Sequence, residues 1–426
     1  MLQTTKDPKS TCRHCRQPLH HTFVNLGMSP LCESFVSPDR LDAMEPFYPL
    51  HVLVCENCFL VQLKDYVSPE HIFSDYAYLS SYSTSWVAHA KTYCGMIKDR
   101  LGLGAESLVV ELACNDGYLL QHFGPLGVAV LGVEPAANVA KLANEKGIPT
   151  ISAFFGTRLA QQLVLEGREA DLVVANNVLA HVPDINDFVS GIRCLLKPQG
   201  VATLEFPHIE RLMTENQFDT IYHEHFSYLS ASVVERVARV HGLRLFDVEK
   251  LSTHGGSLRV YLAHQDSPHA TSTRVLELIE SEDRFGLRTL EGYGSFSERV
   301  KQAKRELLSF LIAAKKDGKR ICGYGAPGKG NTLLNYCGIG TDFLDFTVDR
   351  NPYKHGRYTP GMHIPIRPVE EIDTARPDYI LILPWNLKNE IVEQMGHVGD
   401  WGAKFLVPIP AVEIVDPQTR RATTVT

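Results

Sequence analysis

At 426 residues the chain is long enough for roughly two to four domains, each with its own core, and a single domain is not expected. Its 42 basic and 49 acidic side chains leave a net charge of −7, which argues against a nucleic-acid surface, while 44% hydrophobic and 21% charged content are those of a globular protein. The start M-L-Q-T-T-K-D-P-K-S has no apolar h-region, and no stretch approaches the roughly 18 uninterrupted apolar residues of a membrane span, so the chain reads as cytoplasmic with no membrane partner.

Ten cysteines are present, and four of them form two tight pairs, Cys12-Arg-His-Cys15 and Cys55-Glu-Asn-Cys58. Each pair can present two thiolates to one ion, and together they complete a tetrahedral four-cysteine zinc site with no open position for water. Such a site is structural. A redox pair would want a surrounding βαβ pattern, and a catalytic zinc would want three ligands and a gap. Cys32, His14, His20, His21 and His51 are possible substitutes as ligands. The segment from Tyr66 to Tyr82, rich in tyrosine and serine and without a clean period, reads as a linker or as a lid over the next domain.

From Ser107 onward strand and helix signals alternate. Leu108 to Leu112 is an apolar run ending in the turn A-C-N-D-G; Tyr118 can start a helix; Val128 to Val133 is a second run ending at Glu134-Pro135. Helical spacing runs from Ala136 to Lys146 with Gly147 placed to cap it, and Ile148 to Ser152 reads as a short strand. Ala170 to Ala175 is a buried strand, Asp184 to Leu196 a helix stopped by Lys197-Pro198-Gln199-Gly200, and Val201 to Phe206 another strand. This alternation predicts a doubly wound, largely parallel α/β sheet.

Ligands of such sheets sit at the carboxyl ends of the strands. The residues there are Glu111, Ala113, Asn115, Asp116 and Gly117 after the first run, Glu134 after the second, and Asn176 and Asn177 after the fourth, with His181 about one helical turn on. A carboxylate at Glu134 can take both hydroxyls of a ribose. This set resembles the S-adenosylmethionine-dependent methyltransferases, whose first motif is commonly E-x-G-x-G or E-x-G-x-N-D-G; Ala113 stands where that family usually has its first glycine and should narrow the space for the methionine moiety. An ordinary dinucleotide fold matches less well, because no G-x-G-x-x-G follows the first strand.

Next comes T-I-Y-H-E-H-F-S-Y-L-S, which crowds Tyr222, His223, Glu224 and His225 together. Histidine beside a carboxylate and a phenol is a proton-transfer set. A helix from Ser230 to His241 ends at Gly242, and strands at Leu243 to Glu249 and Ser257 to Ala263 flank Thr253-His254-Gly255-Gly256, a turn between antiparallel strands. Thr273 to Gly318 is charged with apolar positions at helical spacings and reads as a helical connector. Lys319 to Tyr324 is a short strand, Gly325-Ala-Pro-Gly-Lys-Gly330 a loop, and Asn331 to Tyr336 the start of a helix, which together have the form of an anion site or of a tight turn without ligand. Runs at Phe343 to Val348, Tyr379 to Leu383 and Phe405 to Pro408 continue a smaller Rossmann-like α/β unit. The expected organisation is a zinc-binding domain over 1–82, a methyltransferase-like domain over 83–268, the helical connector over 269–318 and the C-terminal unit over 319–426.

The order of these parts resembles the sugar C-methyltransferases that act on nucleotide-linked keto-sugars. The resemblance spans nearly the whole chain and rests on the paired cysteines, Asn115-Asp116-Gly117, Tyr222-His223-Glu224-His225, His254-Gly255-Gly256 and Gly323-Tyr324-Gly325-Ala326. It implies S-adenosylmethionine as cofactor, a nucleotide-linked keto-deoxysugar as substrate, and His225 as the base, with Tyr222, Glu224 and His181 in support. It also implies that His254, Gly255, Tyr324 and Lys329 meet the substrate. The chemistry is consistent with those roles: carbon becomes nucleophilic when a proton is removed beside a carbonyl, so His225 would take the proton, Tyr222 or His181 would stabilise the enolate oxygen, and Glu224 would orient a neighbour. The alternative is an O- or N-methyltransferase, which uses the same cofactor but needs no carbon acid. A zinc-bearing scaffold that binds neither is a further class.

Overall fold

The computed structural model describes residues 2–4, 10–68 and 79–425. Most of the Tyr66 to Tyr82 segment, residues 69–78, lies outside them, and with it the linker-or-lid reading. Near the N-terminus, strands β1 (Gln3–Thr4), β2 (His21–Ser29), β3 (Tyr48–Val54) and β4 (Val61–Leu63) form an antiparallel sheet.

The middle region is the doubly wound sheet. Strands β5 (Leu108–Leu112), β6 (Ala129–Val133), β7 (Thr150–Ile151), β8 (Ala170–Asn176) and β9 (Leu196–Pro207) are parallel, and the apolar runs place them there because both faces are covered. Between β9 and the last two strands of this sheet, a short strand, β10 (Ser227–Tyr228), leaves it altogether and pairs with β4 of the N-terminal sheet. Then β11 (Leu243–Leu251) and β12 (Ser257–His264) form the expected hairpin, giving the order β11-β12-β9-β8-β5-β6-β7 with β12 running against the rest. This is the strand order of a class I methyltransferase fold. The order reverses between β5 and β8, so a crevice opens at their carboxyl ends.

Several local expectations differ from the structure. Tyr118 does not start a helix; two 3-10 turns, Leu120–His122 and Gly124–Leu126, take its place, because Gly124-Pro125 and Gly127 interrupt the hydrogen-bond ladder. Lys197 to Gly200 lie within the span of β9, whose Leu196 already pairs with Ala170. A helix over Thr157–Leu165 was not anticipated. Ser230 caps its helix as expected, its Oγ accepting from Val233 N at 3.1 Å.

Residues 273–316 are helical, over Thr273–Phe285, Leu290–Tyr293 and Phe296–Lys316, but they do more than connect. Phe296 stacks on Phe23 of the N-terminal sheet with ring centres 4.7 Å apart, and Leu307 and Leu311 belong to the same core as Ile321, Ile380 and Leu406 further on. Beyond them, β13 (Ile321–Tyr324), β14 (Thr347–Val348), β15 (Ile366–Arg367), β16 (Tyr379–Ile382) and β17 (Lys404–Val407) form a parallel sheet that β18 (Glu413–Val415) and β19 (Ala422–Thr424) extend antiparallel. Strand β14 is shorter than Phe343 to Val348, since Phe343 and Leu344 turn back onto the Gly340 carbonyl. Among the described residues no helix is long and apolar enough to cross a membrane.

Candidate active site

The crevice at β5 and β8 is part of a cavity of about 550 Å³. Its first wall is made by strand ends. Glu134, 5% exposed, accepts from Asn115 N at Oε2 and from Ala136 N at Oε1, both at 2.9 Å, which fixes the carboxylate on the cavity wall. Burial raises its pKa, and the two amides pull it back toward the charged form. Ala113 and Asn115 line the same wall with φ of 51° each, a left-handed conformation that explains why a glycine would suit position 113. Asn176 and Asn177 close the wall from β8, and the Oδ1 atom of each is buried without a hydrogen-bond partner. A carboxylate with spare acceptor capacity, two orphan amide oxygens and the flanking rings of Trp86 and Phe155 fit an adenosyl group.

Glu111, Asp116 and Gly117 build this wall without reaching its surface. Glu111 is 1% exposed and burial, followed by Glu134, raises its pKa well above the usual range. Asp116 pairs with Lys146 at 2.8 Å, and a Cβ on Gly117 would meet Ile148 Cδ1 at 2.3 Å.

The second wall carries the Tyr222 to His225 cluster. His225 donates its Nδ1–H to the Thr220 carbonyl at 2.8 Å, which leaves Nε2 as the unprotonated nitrogen of the neutral ring. Burial first, then the neighbouring His181, hold its pKa well below 6.5. Tyr222 lies against the His225 ring at 4.1 Å and His181 meets it edge-on at 4.6 Å, so three of the expected side chains converge. Burial pushes the Tyr222 phenol well up and His181 down to about 4, so the phenol keeps its proton and the imidazole is neutral. Glu224 also lines the cavity and accepts from the Cys32 thiol at 3.6 Å. His223 faces away, its Nε2 at 3.3 Å from the Pro49 carbonyl. The pairing of β10 with β4 explains this arrangement: the chain just after the cluster is sewn to the N-terminal sheet.

The third wall comes from the C-terminal domain and the H-G-G turn. His254, at φ 53°, reaches the cavity beside Trp86, their ring centres 4.9 Å apart, and Lys329 lines it too. The turn is held by Glu205, which accepts from Thr253 Oγ1 at 2.7 Å and pairs with Arg259 at 3.0 Å. Gly255 and Tyr324 are off the wall: a Cβ on Gly255 would sit 2.8 Å from Gln217 and Trp385, and Tyr324 is 5% exposed within β13.

Sequence reasoning missed Cys32 and Glu33, which line this cavity from the N-terminal region. Glu33 lies at the head of the Gly328–Cys337 helix, 3.8 Å from Lys354, and a Cβ on Gly328 would come 2.9 Å from its Oε1; burial raises its pKa and Lys354 draws it back. The group that occupies the mouth of that glycine-rich loop is therefore the chain's own Glu33 carboxyl. Proximity in space was the only signal, since Asn331 Nδ2 meets the Cys32 carbonyl at 2.6 Å across 299 residues.

Away from the cavity, the Sγ atoms of Cys12, Cys15, Cys55 and Cys58 lie within 4.8 Å of one another, with Cys12–Cys58 and Cys15–Cys55 at 3.5 Å. The edge of a tetrahedral zinc–sulfur site is about 3.8 Å, so the four thiols fit zinc with no position left for water. The other candidates are engaged elsewhere: His14 with Asn186, His21 with Glu56, His51 with Thr22 and Cys32 with Glu224. Neither His20 nor Cys32 belongs to the cluster.

Three family models match the chain: "Putative zinc binding domain" over residues 12–73, "Methyltransferase domain" over 86–248 and "C-methyltransferase C-terminal domain" over 252–410. The sequence is 35% identical to C-methyltransferase NovU of Streptomyces niveus over 421 residues, 98% of this chain and 100% of the relative. It is 33% identical to a ubiquinone biosynthesis O-methyltransferase of Bartonella tribocorum over 102 residues, 22% of this chain and 40% of that relative. Among solved structures, the PH0226 protein from Pyrococcus horikoshii aligns with a TM-score of 0.37 and 17% identity, covering 47% of this chain and 99% of that one.

Proposed function

The chain belongs to the C-methyltransferase family and is an S-adenosylmethionine-dependent C-methyltransferase; from that premise we propose that it methylates a nucleotide-linked keto-deoxysugar at the carbon beside the ketone, with His225 as the base. The observation that carries the assignment is the His225 Nδ1–H bond to the Thr220 carbonyl, in a cavity continuous with the Glu134 and Asn176 wall. That bond fixes the tautomer and strengthens as positive charge develops on the ring.

In this reading Nε2 takes the α proton and the electron pair of the C–H bond passes into the enolate. Tyr222, protonated at neutral pH, donates a hydrogen bond to the enolate oxygen, and neutral His181 packs edge-on against the His225 ring. Glu224, anchored by Cys32, holds the wall beside them. Bound at the strand ends, S-adenosylmethionine supplies an electrophilic methyl group. Lys329 gives the far wall a positive charge, which suits the diphosphate of a sugar nucleotide. A base would serve O- or N-methylation too; the likeness over the whole chain to a C-methyltransferase is what favours carbon.

The test is isotopic. Enzyme incubated in heavy water with S-adenosylhomocysteine and a keto-deoxysugar nucleotide should exchange the α hydrogen without methyl transfer, and His225→Ala should lose exchange and methylation while still binding S-adenosylhomocysteine. A His225→Ala enzyme that methylates carbon at the wild-type rate overturns the base assignment. Mass spectrometry over a panel of keto-deoxysugar nucleotides checks the substrate class: no methylated product from any of them would reject it.

A further inference from the structure

Trp385 follows β16 and is 8% exposed, and three contacts radiate from its indole. Nε1–H donates to Asp219 Oδ2 at 2.7 Å. The Cη2 corner lies 2.8 Å from where a Cβ on Gly255 would stand. Lys329 Nζ lies over the ring, 4.9 Å from its centre, while bonding Asn386 Oδ1 at 2.6 Å.

Two of these contacts lead to the reacting groups. Asp219 is the middle residue of the 3-10 turn Phe218–Thr220, and the carbonyl that ends this turn is the acceptor of His225 Nδ1–H. Gln217, which caps the same turn, donates Nε2–H to the Gly255 carbonyl at 2.7 Å, so the turn and the loop that carries His254 are joined at Gly255. Asp219 itself is fully buried, and its Oδ1 has no hydrogen-bond partner. Trp385 is the side chain that donates to this buried carboxylate, and losing it leaves only nearby backbone amides and the Lys329 charge.

We infer that Trp385 is a positioning residue for proton transfer: by holding Asp219 it fixes the Thr220 carbonyl and with it the plane and tautomer of His225, and by backing Gly255 it sets the approach of His254. The C-terminal domain thus reaches into the base's own hydrogen-bond chain across 166 residues of sequence. The inference rests on the reading of His225 as the base, and its test separates the two.

Trp385→Phe keeps an aromatic ring beneath Lys329 but removes the N–H and withdraws the Cη2 corner from Gly255; Asp219→Ala removes the acceptor alone. Rates are expressed per site able to bind S-adenosylhomocysteine, counted by calorimetry, so misfolded protein does not enter. Each variant should lose about tenfold in kcat and in heavy-water exchange together, the scale of one hydrogen bond to a buried charge, with KM for both substrates within twofold. The double variant should be no worse than the weaker single, because both remove one interaction. A loss under threefold in Trp385→Phe, a fall confined to KM, or single losses that multiply in the double variant overturns the inference; if Trp385→Phe does not fold, the same threefold threshold is applied to Asp219→Ala. His225→Ala with full activity would instead sink the base assignment, whereas an inactive His225→Ala beside an unimpaired Trp385→Phe would sink this inference alone.

Discussion

Glu134 uses one oxygen on an amide of the facing loop, Asn115 N, and the other on Ala136 N of its own turn, and that makes substitution there informative. In Glu134→Gln the side-chain amide has a single acceptor oxygen, so either Asn115 N–H or Ala136 N–H loses its partner and an N–H₂ group faces the ribose. S-adenosylhomocysteine binding should weaken by about 1.5–3 kcal/mol, read by calorimetry; unchanged affinity would place the cofactor elsewhere. His225 gives a second expectation. An ordinary imidazole is half protonated near pH 6.5 and would lose half its activity as a base there. Because burial and His181 hold the pKa of His225 well below that, its neutral form persists as pH falls, and kcat/KM should show no limb centred on pH 6.5. A kcat/KM that falls to half its pH 8 value at pH 6.5 would contradict this. Both residues were legible in the sequence, one as the end of an apolar run and the other as part of a dense polar cluster. Asp219, Trp385 and Cys32 were not, because their significance is a contact with residues 166 or more positions away.

At the scale of elements, the parallel strands were readable because a strand covered on both faces must be mostly apolar, as in Leu108–Leu112 and Ala170–Asn176, whose polar residues sit near the strand ends, Glu111 and Asn176 at the carboxyl side. The weak spots were places where a glycine or proline broke a plausible helix, as at Gly124-Pro125, and where the partner strand decided the boundary, as at Leu196. The cysteine knuckles belong to this scale as well. Arg13 of the first knuckle reaches the Pro183 carbonyl, and Asn186 Nδ2 returns to the His14 carbonyl at 2.9 Å, so the knuckle is docked at the start of the helix Ile185–Leu195 beside the His181 turn. The protein should carry about one zinc, and Cys12→Ser or Cys58→Ser should lose it together with several degrees of thermal stability. Metal analysis finding no zinc, or zinc undisturbed by both changes, would reject the site.

For the whole molecule, one continuous core runs from Phe23 and Val52 through Phe296 and Leu311 to Ile380 and Phe405. The N-terminal sheet and the C-terminal domain therefore have no separate interiors. Calorimetric unfolding should show the two melting in a single transition, and a chain ending at Gly318 should lack a cooperative transition for the N-terminal sheet, since its long helix would be left with an open apolar face. Two resolved transitions in the intact protein would show that the shared core does not couple them.

Glu33 at the head of the Gly328–Cys337 helix carries one more consequence. A helix N-terminus framed by glycines attracts inorganic anions from the medium, yet here a tethered carboxylate already fills the position and Lys354 balances it. Sulfate and phosphate in the buffer should be indifferent spectators of the wild-type reaction at that loop. In Glu33→Ala the same amides and Lys354 stand without their counter-charge, and turnover should become inhibited by millimolar sulfate, more strongly at low ionic strength. Equal sulfate sensitivity in the two proteins would mean that the loop does not concentrate anions at all.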